Sequence, residues 1–247
     1  MNNTAETRLQ KYLAHCGFGS RRECEKMIAD GRVIVNGHVV RDMGLKIDPQ
    51  KDRVYCDGEK ASSKKSSPVV IMLHKPKECV STRKDPQGRK TIYNFLPRQF
   101  QNIFHIGRLD YHSEGLILLT NDGDFAQQLT KPESAIAKIY EVKVKGRPAQ
   151  EMLEIVRNGV RIDRRKTLPA FITFIRNSHK NTWYRVQIHE GKNRQIRKMF
   201  ETIRHPVLKL KRIGIGNIHL RKLPPGQWRF LTPDEIKILH GMINTRL

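Results

Sequence analysis

Residues 59–68 read EKASSKKSSP, and no other stretch constrains the fold as much. A packed helix or strand has no use for that many serines and lysines in a row, and the closing proline removes a backbone donor as well. The chain is therefore expected to fold as two bodies joined by a linker. A small module covers 7–60, the linker covers 61–68, and a larger domain covers 69–247.

Each body carries local signals. In RLQKYLAHCG, residues Leu9, Tyr12 and Leu13 share one face of a short helix. In SRRECEKMIADG, Ser20 and Glu23 fit a reciprocal cap for a second helix, and Gly31 can take the left-handed conformation that ends it. Cys24, Met27 and Ile28 form that helix's apolar face, which leaves Arg21, Arg22 and Lys26 for the outside. VIVNGHVV then sets Asn36-Gly37 between two β-branched runs, a strong hairpin signal.

The larger body mixes strands and helices. VVIMLH (69–74) reads as a buried strand stopped by Lys75-Pro76, and GLILLT (115–120) as another, closed by the turn NDG. IYEVKVK alternates, with Tyr140, Val142 and Val144 on one face. AFITFIR (170–176) and TWYRVQIH (182–189) read as paired strands. Helices are predicted over 150–159, 193–203 and 232–244, the last capped by Thr232 and Glu235. Many strands with little βαβ regularity predict an α+β fold on a mixed, mostly antiparallel sheet.

Charge narrows the partner. The chain has 47 Lys and Arg against 24 Asp and Glu, a formal net charge of +23. That excess points to nucleic acid or an anionic surface. No apolar run reaches the roughly 20 residues that span a bilayer, and the N-terminus lacks a continuous apolar segment. A cytoplasmic protein with no membrane role is expected. Cys16, Cys24, Cys56 and Cys79 lack CxxC spacing and the histidines lack HExxH spacing, so no metal site is expected. The G-x-G pairs in GFGSRR and GIGNIH lack a third glycine, so a nucleotide-binding loop is not supported.

Within this basic chain, IGRLDYHSEGLILLTNDGD (106–124) concentrates acids around one arginine. Segment 190–222 does the opposite, with ten Lys and Arg and two Glu. On the helix of GKNRQIRKM, Ile196, Met199 and Phe200 face the core, Arg194 and Lys198 fall on the far side, and Arg197 falls at the edge of the apolar stripe. From that edge a guanidinium can enter a cleft, while Arg194, Lys198 and the helix N-terminus near Asn193 stay available to phosphates. A half-buried arginine needs an anion. Asp110 is the candidate, and the pairing would keep it ionised and nucleophilic. Spacing alone equally allows Asp110 to bond local backbone or pair with Arg108. Tyr140 is likewise open: it packs in the core, or it walls a pocket and stacks on a base.

GRLDYHSEGLILLTND resembles the catalytic motif of the RsuA/RluB/RluE/RluF family of pseudouridine synthases. LHKPKECVSTRKDP, KIYEV, EGKNRQIRKM and LPPGQWRFLT resemble the family's other landmarks in the same order, and residues 7–60 resemble the S4 RNA-binding domain that many members carry. His74 stands where asparagine is common in the family, and FETIRHPV departs from its usual turn.

The resemblance implies an S4 domain followed by a pseudouridine synthase domain that needs no cofactor. It makes Asp110 the nucleophile, Tyr140 the residue against the target base and Arg197 the partner of Asp110. Lys75 and Arg108 become pocket-forming RNA contacts, together with Arg21, Arg22, Lys26, Arg194 and Lys198. The expected substrate is a uridine of ribosomal RNA, with 23S favoured because STRKDPQGRKTIYNFLP (81–97) is RluB-like, and the expected state is a monomer on rRNA or an assembly intermediate. The alternatives are 16S rRNA or a non-catalytic rRNA-binding assembly factor. A DNA-binding regulator has less support, because no helix-turn-helix or basic-zipper pattern is present.

Overall fold

A computed structural model describes residues 6–62, 68–101 and 103–244. The chain forms two compact units, 1–67 and 68–247. Residues 63–67 of the expected linker lie outside the described residues. Ala61, assigned to that linker on composition, is buried, and its carbonyl accepts the Tyr12 hydroxyl at 2.9 Å.

In the first unit, β1 (Thr7–Arg8) leads into α1 (Leu9–His15) and α2 (Arg21–Ala29). The Ser20 hydroxyl accepts from Glu23 N at 3.2 Å and the Glu23 carboxylate from Ser20 N at 2.8 Å, so both ends of the expected cap close. A hairpin follows, β2 (Val33–Val35) and β3 (His38–Val40), turned by Asn36 and Gly37 at φ 52° and 88°. Two positive φ values in a two-residue loop match the twist of the flanking strands. Then β4 (Lys46–Ile47) pairs with β1, while β5 (Val54–Cys56) and β6 (Glu59–Lys60) complete a four-stranded sheet in the order β3-β2-β5-β6. Leu9, Leu13, Cys24, Ile28 and Ile47 fill its core.

The second unit is built on a nine-stranded sheet. Its elements run β7 (Val70–Lys75), β8 (Phe104–Ile106), β9 (Glu114–Thr120), α3 (Gly123–Thr130), β10 (Lys138–Val144) and α4 (Gln150–Arg157). A small hairpin, β11 (Arg161–Ile162) and β12 (Arg165–Lys166), precedes β13 (Phe171–Ser178) and β14 (Asn181–Ile188). Last come α5 (Gln195–Thr202), β15 (Val207–Ile215), β16 (Ile218–His219), β17 (Trp228–Phe230) and α6 (Pro233–Asn244). The main sheet order is β13-β14-β10-β15-β9-β7-β17, with β8 beside β9 and β16 beside β15. Among the described strands of this sheet only β15 and β9 pair in parallel, so the fold is α+β with a mixed, mostly antiparallel sheet. The NDG turn expected after β9 is instead a helix cap: the Asp122 carboxylate accepts from Asp124 N and Phe125 N, and starts α3.

The two faces of the sheet bury different clusters. Tyr140, Val142, Val144, Val186 and Leu210 pack with Ile196, Met199 and Phe200 of α5. Leu116, Leu118, Met72 and Ile215 pack with Leu239 of α6. The single parallel contact depends on glycine. Gly115 sits at φ 118° opposite Arg212, and a Cβ there would stand 2.2 Å from the Arg212 carbonyl oxygen. This close approach brings the turn before β9 against β15. Among the described residues no helix is long and apolar enough to cross a membrane.

Candidate active site

The turn from Gly107 to Ser113 is fastened at several points. Gly107, at φ 71°, lets the chain leave β8. Leu109 is buried, and its backbone is held on both sides by one hydroxyl: Ser81 Oγ donates to Leu109 O at 3.0 Å and accepts from Leu109 N at 3.2 Å. Ser113 N donates to Asp110 O at 3.0 Å, and Glu78 N to Tyr111 O at 2.8 Å. The half-buried Asp110 carboxylate is thus carried by a backbone that has little freedom. It opens on a cavity of about 490 Å³ also lined by Arg108, Ser113, Lys138, Tyr140, Arg194 and Arg212.

Two buried cations stand behind this turn, and both hold Ser113. Lys75 is 0% exposed; its ammonium donates to Ser113 O at 2.8 Å and Pro76 O at 3.0 Å. Burial pushes the Lys75 ammonium down from 10.5 to about 8, against the opposing pull of Cys79 and Asp110. Arg197, 9% exposed, donates through Nη2 to Ser113 Oγ at 3.4 Å and through Nη1 to Val207 O at 3.2 Å. Its pKa is lowered by burial and by Arg194, and raised by Asp110.

These placements correct two expectations. Lys75 is not an RNA-contacting cation, because its ammonium is enclosed and committed to two carbonyls. Arg197 does not close a direct ion pair with Asp110: among the described residues no cation lies within 4.0 Å of that carboxylate. Its guanidinium is taken up by Ser113 and Val207, so it acts on Asp110 through space, in a site where screening is weak.

Tyr140 packs in the core and walls the pocket at once. It is 7% exposed within the core cluster and also lines the cavity. Directly opposite it on β15 stands Arg212, 3% exposed, whose Nε donates to Leu116 O at 2.6 Å. Sequence reasoning missed Ser113, Lys138 and Arg212. The signal for Arg212 was present, since it stands two residues after Leu210 on one strand and a cation in that phase falls on the inner face, where both are buried.

The other expected RNA contacts are dispersed. Arg108 and Arg194 are exposed at the cavity rim. Arg194 caps α5 in the left-handed conformation, at φ 51°. Part of that helix entrance is already bonded, as Lys192 N donates to Gln195 Oε1 at 3.1 Å. Lys198 is held by Asp163 at 2.5 Å. Arg21, Arg22 and Lys26 are exposed on α2 of the first unit.

A mixed sheet with a carboxylate at the mouth of a cation-lined cavity, preceded by a small basic module, is the architecture of an RNA-modifying enzyme, and the chain belongs to the RNA pseudouridylate synthase family. The family model matches residues 69–202, and the S4 domain model matches residues 7–54. Among curated relatives, the ribosomal large subunit pseudouridine synthase B of Bacillus subtilis is 43% identical over 237 residues, covering 95% of this chain and 96% of the relative. The protein of that name from Vibrio vulnificus is 34% identical, covering 97% and 76%. A crystal structure of a pseudouridylate synthase superposes with a TM-score of 0.69 at 28% identity, covering 94% of this chain and 99% of that one. The protein is therefore an RNA pseudouridine synthase, an isomerase.

Proposed function

We propose that this enzyme converts a uridine of large-subunit ribosomal RNA to pseudouridine, with Asp110 as its nucleophile. The large-subunit substrate is supported by the names of the relatives matched over nearly the whole chain. The carrying observation for the nucleophile is the half-buried Asp110 carboxylate, which opens on the cavity that Tyr140 walls, with Lys75 and Arg197 behind it.

The reaction breaks the N1–C1′ bond, turns the uracil and forms a C5–C1′ bond; the proton leaves C5, and N1 gains one. Atoms balance with no oxidant or reductant. Asp110 engages the sugar as the N1–C1′ bond breaks, and Tyr140 lies against the base. A stacked uridine must first be extruded, at a cost of a few kcal/mol. Phosphate contacts from Arg108, Arg194 and the exposed cations of α2 offset it. In this reading residues 7–60 capture RNA, residues 69–247 carry the chemistry, and the enzyme works as a monomer in the cytoplasm.

Asp110→Asn tests the assignment. It should leave RNA binding within about twofold while abolishing tritium release from 5-³H-uridine in ribosomal RNA, because one carboxylate is the reacting group. Residual turnover in that variant would refute the role of Asp110. Pseudouridine mapping in RNA from cells lacking the gene would test the substrate: an unchanged large-subunit map would exclude it.

A further inference from the structure

We propose that Lys138 and Arg212 form an anion subsite inside the cavity, which takes one backbone phosphate of the nucleotide whose base lies against Tyr140. The inference rests on the functional reading above and deepens it.

The two side chains share the face of the sheet that carries Tyr140. Lys138 lies two residues before Tyr140 on β10, and Arg212 is the β15 partner of Tyr140. Both line the cavity. Arg212 uses only Nε in bonding, to Leu116 O, and its Nη2 is buried without a partner. Lys138 Nζ donates only to Ile136 O, at 3.2 Å. Among the described residues neither cation has a carboxylate within 4.0 Å. Two acids line the same cavity: Asp110, which the functional reading assigns to the sugar, and Glu190, which raises the Lys138 pKa but is already engaged by Lys192 at 3.1 Å, Gln195 Nε2 at 2.7 Å and Leu168 N at 2.9 Å. Burial and the like charge of Arg212 both press the Lys138 ammonium downward.

Two neighbouring desolvated cations without a counter-ion are a costly arrangement unless an anion arrives. An RNA strand that places a base against Tyr140 must also bring its backbone phosphate to the same cavity. A phosphate offers several acceptor oxygens to the free guanidinium nitrogens and the ammonium, and charge-assisted bonds of this kind are among the stronger ones. The cavity-facing position separates this pair from Arg108 and Arg194 at the rim, which track the RNA in high dielectric.

The test is calorimetric titration of the full-length protein with uridine, uridine 5′-monophosphate and uridine 3′-monophosphate. At least one monophosphate should bind about tenfold more tightly than uridine, and Lys138→Gln should cut that advantage to about twofold while uridine binding stays unchanged. Arg212→Lys, which keeps the charge, should retain more of the advantage than Arg212→Gln, with thermal unfolding confirming that each variant is folded. Equal binding of all three probes would overturn the proposal, as would an undiminished phosphate advantage in Lys138→Gln. Equal weakening of uridine and its monophosphates would overturn it too, since the pair would then be reading the nucleoside. Tritium release is measured in parallel. A Lys138-dependent phosphate advantage in a protein that releases no tritium from ribosomal RNA supports the subsite and overturns the functional reading instead.

Discussion

Helix α2 and the surroundings of the Asp110 cavity both concentrate arginine and lysine, but they house them in opposite ways. On α2, Arg21, Arg22 and Lys26 stand in solvent, on the far side of a helix whose Cys24 and Ile28 are buried. Around the cavity, Lys75, Arg197 and Arg212 are nearly enclosed and spend donors on backbone carbonyls. The first group acts at a distance and is screened by salt within about 10 Å at 0.1 M. The second is desolvated, shapes the backbone it touches and is screened far less. A formal charge of +23 therefore mixes two kinds of cation, and only one of them is a generic polyanion surface.

The comparison breaks most readily at Lys75. Its folded value is about 8 against an ordinary 10.5, so between those values the unfolded chain holds a proton that the folded chain has released. Stability from this group must then rise with pH across that window, by up to about 3 kcal/mol at roughly 1.4 kcal/mol per unit. Urea unfolding at pH 7.5 and pH 10, for wild type and Lys75→Met, measures it: wild type should gain on the variant as pH rises. A constant difference between the two would place Lys75 with the solvent-exposed cations.

This distinction was only partly legible in the sequence. Local signals resolved well. The Ser20/Glu23 cap, the Asn36-Gly37 turn and the inward phase of Tyr140, Val142 and Val144 each depend on a few neighbouring residues, and the structure has them. Burial of cations depends on partners far along the chain. A lysine before proline at a strand end looks exposed until Ser113, from another strand's approach, brings a carbonyl to its ammonium. Arg197 was read as edging into a cleft toward Asp110, yet it is buried against Ser113 and Val207, since an ordinary turn serine gives no sign that it will receive both cations. The β9–β15 parallel contact that assembles these groups hangs on Gly115, whose role as a close approach is invisible before pairing is known.

The exposed side of the comparison sharpens with Arg21→Ala, Arg22→Ala and Lys26→Ala combined. Each should change folding stability by less than about 0.5 kcal/mol, as surface positions do. The RNA affinity should fall, and the slope of log affinity against log salt should flatten by about one for each phosphate contact removed. Turnover at saturating RNA should hold. A cooperative loss of stability would show that these side chains are structural after all.

The smallest effect belongs to Lys198, which sits between the two classes. Its side chain is 29% exposed and already paired with Asp163, itself 68% exposed at the side chain. An ion pair so open to water contributes under about 1 kcal/mol, so Lys198→Ala should barely move the unfolding midpoint. Its influence on RNA is more telling. A cation whose charge is cancelled by a neighbour adds little to a polyanion's attraction, whereas removing the neighbour restores it. Asp163→Asn should therefore tighten RNA binding by about twofold at low salt, an advantage that fades as salt rises. Lys198→Ala should weaken binding slightly, by leaving Asp163 unopposed. If both substitutions shift RNA affinity in the same direction, Lys198 does not face the nucleic acid, and the expectation that placed it among the RNA contacts falls with it.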